Sequence, residues 1–119
     1  MARASLLLLV PALLLAGCGN NSGSDEERVE VYKATGAVQC EGGGMGLSEL
    51  AAPLREAGIE WMGESCGHDG MMRPAVCGAS DGSIGIFLVD AGDQARASDL
   101  GFEPLSSLPE ATLNDCPGT

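Results

Sequence analysis

Six side chains with reactive chemistry crowd into one short stretch of the chain: Cys66, His68, Asp69, Met71, Met72 and Cys77. Thiolate, thioether and imidazole together form a soft ligand set that suits copper. The spacing departs from that of a type-1 copper loop, however, and His68 is the single histidine in the sequence. Two Met in a short loop more often serve as packing or lid residues. A disulfide-closed surface loop is therefore the first reading of this stretch. A copper-binding or redox-sensing loop using Cys66, His68, Met71 and Met72 is the alternative.

Hydrolytic chemistry finds less support. Ser65, Ser80 and Ser83 fall in turn contexts where serine is expected anyway, and no nucleophile-elbow motif accompanies them. Asp69 is adjacent to His68 in sequence rather than placed to orient it. The run Gly42-Gly43-Gly44-Met45-Gly46 lacks the following Lys and Ser/Thr of a phosphate-binding loop, and Glu41 precedes it. No Cys-x-x-Cys pair supports a thioredoxin-like role. The expectation is a protein with no catalytic residue, no metal and no cofactor.

The amino-terminal residues carry a clearer pattern. Arg3 is followed by an apolar run over residues 6–16, which ends in Leu15-Ala16-Gly17-Cys18. Eleven residues are too few to span a hydrocarbon core as a helix, which takes about 20, so the run reads as the apolar part of a signal peptide. Leu15-Ala16-Gly17-Cys18 resembles the lipobox of bacterial lipoproteins. That resemblance implies removal of residues 1–17 and attachment of a thioether-linked diacylglycerol, usually with an amide-linked acyl chain, at Cys18. Each buried CH₂ contributes about 0.8 kcal/mol, so two or three chains hold a protein stably on a bilayer. Gly19 stands where an Asp would suggest inner-membrane retention, and the resemblance therefore implies the periplasmic face of an outer membrane. Residues 32–90 also resemble small Gram-negative envelope lipoproteins to which no activity attaches.

Of the 119 residues, loss of the first 17 leaves 102, enough for one domain. This mature chain carries 5 basic and 17 acidic residues, a net charge of −12. Such a surface repels phosphate backbones, so a nucleic-acid partner is not expected. The partners expected are the membrane, through the lipid at Cys18, and another envelope protein. Four cysteines remain beyond the anchor, Cys40, Cys66, Cys77 and Cys116. An even number in a small exported domain indicates two disulfides with three possible pairings. Spacing favours Cys66–Cys77, closing a local loop, and Cys40–Cys116, tying down the tail.

These residues need elements to position them. Residues 18–27 contain nothing that packs and form the anchor and a flexible tether; residues 28–119 form the domain. Alternation predicts a strand over 29–34, with 37–40 as an extension or a short second strand. Leu47, Leu50, Ala51, Leu54 and Ala57 share one helical stripe, which predicts a helix over 48–57 with Ser48 as N-cap, Gly58 as terminator and Pro53 as a complication. A strand over 59–64 follows, then a loop, a short strand over 73–79, and a hairpin turn at Ser80-Asp81-Gly82-Ser83. Residues 84–89, apolar on both faces, form a central strand. A second helix over 93–100 ends at Gly101-Phe102, as the first ends at Gly58-Ile59. The duplicated helix-stop-strand pattern points to an α+β domain: an antiparallel sheet of about four strands with two helices on one face, stapled by disulfides. The two stops are either ordinary Gly-capped helix ends or the mark of a duplicated β-α-β plan, as in a ferredoxin-like sandwich with an extra hairpin strand. Residues from 104 onward form a loose tail held by Cys116. Trp61 and the Met71-Met72 loop are the expected exposed apolar contacts.

Overall fold

The computed structural model describes residues 27–117. The expected signal peptide, Cys18 and most of the tether lie outside the described residues. Five strands form one antiparallel sheet: β1 (Arg28–Ala34), β2 (Trp61–His68), β3 (Ser83–Asp90), β4 (Glu103–Pro104) and β5 (Thr112–Asn114), in the spatial order β4-β1-β3-β2-β5. Two helical pieces, α1 (Leu47–Leu50) and α2 (Ala52–Glu56), connect β1 to β2, and α3 (Gln94–Asp99) connects β3 to β4. The order β-α-β-β-α-β with β4-β1-β3-β2 adjacent is the split β-α-β plan of a ferredoxin-like sandwich. The added strand is β5, at the β2 edge.

β3 is central because both of its faces are apolar. By alternation Phe87 and Val89 face the helices with Val31, while Ile84 and Ile86 face the other way, and all five are at most 1 % exposed. Phe87 sits at the middle of the core, edge-on to Trp61 at 6.0 Å and to Phe102 at 5.7 Å between ring centroids. Leu50, Leu54, Ile59 and Ala97 close over it.

The two helix ends are built alike. The Gly58 N–H donates to the Arg55 carbonyl and the Ile59 N–H to the Leu54 carbonyl; Gly101 and Phe102 repeat this with Ser98 and Ala97. Both glycines have positive φ, +74° and +94°. This is a Schellman end in each case, and it turns Ile59 and Phe102 straight into the core. Arg96 of α3 donates to the Ala57 carbonyl and to Asp93, at 2.9 Å for the latter, so one guanidinium joins the ends of both helical segments.

Several expectations need correction. The stripe from Leu47 to Ala57 is two short helical pieces, because Pro53 has no N–H to offer the Glu49 carbonyl and the chain breaks at Ala51. The N-cap is Gly46, not Ser48. β2 starts later than expected and runs on through His68, with a bulge between Trp61 and Gly63. Residues 73–79 form no strand; the extra strand is carboxy-terminal instead.

The tail is not loose either. β4 and β5 lie on opposite edges, so residues 105–111 run across the molecule, half-burying Leu105, Leu108 and Ala111. The approach is close: a Cβ on Gly67 would come within 2.5 Å of the Thr112 carbonyl oxygen, and one on Gly70 would collide with the Glu110 carbonyl.

The four cysteines beyond position 18 all form disulfides, but as Cys40–Cys77 and Cys66–Cys116, each with Cα atoms 5.1 Å apart. The expected pairing Cys66–Cys77 and Cys40–Cys116 fails for a geometric reason. Gln39 exchanges backbone bonds with Ala79 and Gly78, which lays Cys40 beside Cys77. Cys66 is buried within β2, where Asn114 of β5 pairs opposite it and brings Cys116 alongside.

Candidate functional site

The loop of residues 69–82 between β2 and β3 holds most of the side chains marked by sequence. Its shape is set by three polar clasps. Asp69 is 9 % exposed and accepts two bonds from Arg73, Nη1 to Oδ1 at 2.9 Å and Nη2 to Oδ2 at 2.6 Å, plus one from the Met71 N–H at 2.9 Å. His68 accepts the Gly70 N–H at Nδ1 and donates from Nε2 to the Asp81 carbonyl, each at 2.9 Å. Gln39 reaches across from the preceding loop, with Nε2 donating to the Pro74 and Ser80 carbonyls at 3.2 Å and Oε1 accepting the Val76 N–H at 2.9 Å. The Cys40–Cys77 disulfide adds a covalent tie between the same two loops.

This arrangement removes the thiolates from the copper reading and engages its imidazole. Cys66 and Cys77 belong to different disulfides and offer no thiolate, and both ring nitrogens of His68 are occupied by backbone groups. Among the described residues no group of three or more His, Cys, Asp or Glu converges as a metal-ligand set. The same occupation removes His68 as a base for Ser65, Ser80 or Ser83. The Ser80 hydroxyl accepts the Gly82 N–H at 3.1 Å, and the Ser83 N–H is held by Asp81 Oδ1 at 2.9 Å, so this is a turn built from short polar side chains.

The clasps leave the apolar side chains of the loop outside. Met72 is 97 % exposed, Met71 55 % and Val76 51 %. Trp61 behaves differently from expectation. It is half-buried against Phe87, donates from Nε1 to Glu64 Oε1 at 3.0 Å and has Arg55 over its ring at 5.9 Å, so it belongs to the core margin. Sequence reasoning missed Gln39 and Arg73. The Asp69/Arg73 spacing offered a signal, an opposite-charge pair four apart; nothing in the sequence marked Gln39.

The hydrogen bonds from Arg73 hold the Asp69 carboxyl below its usual range, outweighing the burial that acts against them, and Asp69 in turn raises Arg73. The sign follows from the lowered value in the fold. Stability from this pair is present above the ordinary carboxylate pKa of 3.8 and is lost as pH falls through the lower folded value. Asp69→Asn should therefore destabilise the domain by about 1 kcal/mol at pH 7, since water reaches Arg73 and screens the pair. The gap between variant and wild type should narrow in acid; urea midpoints at neutral pH and at a pH below the folded value check this, and a gap independent of pH would contradict it.

The order of elements and the clasped methionine loop are what the chain offers for comparison. A scan against protein-family models found no match, and searches of curated proteins and of solved structures found none either.

Proposed function

We propose that this protein is a lipid-anchored cell-envelope module that acts by binding or scaffolding another envelope protein rather than by catalysis. The observation that carries the reading is Leu15-Ala16-Gly17-Cys18 behind a short apolar run, ahead of a domain closed by two disulfides. Cys18 bears the lipid, residues 18–27 are the tether, and the domain stands off the periplasmic face of the outer membrane. The Met71-Met72 loop is the contact surface in this reading. Met side chains adapt to irregular partners, and a loop already fixed by Asp69–Arg73, Gln39 and Cys40–Cys77 loses little further freedom on docking.

Cys18→Ser should move the protein from the membrane fraction to the soluble fraction of lysed cells. Mass spectrometry of the wild-type amino terminus should find the acyl mass on Cys18. A bare wild-type terminus overturns the anchor. Crosslinking from position 76, exposed in the same loop, should recover one defined envelope protein in cells, and its loss on Met72→Asp would tie that contact to the loop.

A further inference from the structure

A groove of about 430 Å³ opens at the end of the sheet where β1 finishes and β3 begins. Its walls are the glycine loop before α1, the first residue of α1 and the Cys66–Cys116 disulfide. Three properties of these walls define what fits.

The first is charge. No lining residue among those described is charged, although the chain carries 6 basic and 17 acidic side chains. An ionic ligand would leave water for walls that hold no counter-ion, and several kcal/mol of desolvation would go unrecovered. The second is chemistry. Ala37, Met45, Leu47 and Ile84 supply apolar contact, with Thr35 and Asn114 as the polar edge. The volume is about three times that of a ~150 Å³ cavity that takes up benzene, and lies in the range of small-molecule sites.

The third is Gly46. Its φ of −76° suits any residue, and a Cβ there would meet nothing within 4 Å, so neither backbone nor packing requires glycine. As the N-cap of α1 it makes no side-chain bond, where Ser, Asp or Asn would cap better. What glycine provides at this lining position is an open groove.

We propose that the groove is a binding site for one uncharged, largely hydrocarbon molecule of roughly 15–20 non-hydrogen atoms. It lies at the opposite end of β1 from Arg28, where the amino-terminal segment joins the domain.

The probe is N-phenyl-1-naphthylamine, which is neutral and of this size, titrated by fluorescence into the full chain carrying Cys18→Ser. One equivalent should bind saturably. Gly46→Phe should weaken binding at least tenfold, and any association elsewhere on the protein is the same in both and cancels. 1-Decanol should displace the probe, while decanoate, ionised in mildly alkaline buffer, should not. Asn114→Trp, at an exposed position of β5, fills the groove from the opposite wall and repeats the test if Gly46→Phe does not fold. Equal binding by wild type and the filled variants, the absence of saturation, or displacement by decanoate as effective as by decanol would overturn the proposal.

Discussion

Replacing Cys66 and Cys116 together by serine is expected to cost the domain about 4 kcal/mol, the chain-entropy value for a bond closing roughly 50 residues. The sequence separation of 50 sets that figure, and the position of the bond adds to its consequences. Cys66 is 9 % exposed within β2, so Cys66→Ser would place a hydroxyl where sulfur had filled apolar space. β5 is three residues long and exposed throughout, and the bond is its main attachment beside its pairing with β2. A domain of this size has a total stability of about 5–10 kcal/mol, so the loss takes a large part of it. Urea unfolding of the double variant under non-reducing conditions measures the cost. A change under about 1 kcal/mol would mean that the tail is held by other contacts. Peptide mapping without reductant should find Cys40 with Cys77 and Cys66 with Cys116; fragments joining Cys66 to Cys77 would refute the pairing.

Phe87→Ala should cost about 3–5 kcal/mol, the range for removing a large aromatic from a closed core. Phe87 has no exposed surface and joins both halves of the duplicated plan, with Trp61 after the first helix end on one side and Phe102 after the second on the other. Both ring contacts are edge-on, a geometry that contributes beyond buried area alone. Phe87→Leu keeps most of the volume and should cost about half as much. Leu88→Ala, one residue along on the opposite face and half-buried, should cost less than either. Denaturant midpoints of the three variants rank them, and a Phe87→Ala cost no larger than that of Leu88→Ala would show that this ring is not the centre of the core.

The parts of this structure legible in the sequence are those fixed by neighbours along the chain. The alternation of residues 29–34, the two-faced apolar run of residues 84–89 and the paired stops at Gly58-Ile59 and Gly101-Phe102 are local patterns, and each appears in the fold with its physical role. From them the antiparallel α+β plan follows. What eluded the sequence depends on residues brought together from afar. Thr112–Asn114 is too short for any periodicity and becomes a strand only because β2 extends to His68 and offers an edge. The disulfide partners follow from that same edge and from the backbone bonds around Gln39, while spacing along the chain pointed to the wrong neighbours. At the candidate site the reactive residue types were visible. Their engagement with Arg73, Asp81 and Gln39 was not, and that engagement turns an apparent ligand set into a scaffold for exposed methionines.

The two covalent bonds also interlock: the loop closed by Cys40 and Cys77 contains Cys66, and the loop closed by Cys66 and Cys116 contains Cys77. A chain oxidised as it emerges amino-terminus first would join Cys40 to Cys66, then Cys77 to Cys116, and neither link occurs in the folded domain. Each sulfur would begin with the wrong mate, and maturation would then proceed by thiolate attack and exchange through mixed disulfides. Uncatalysed, such reshuffling takes minutes to hours. On that route, any agent that speeds thiol–disulfide exchange would shorten the maturation of this small domain.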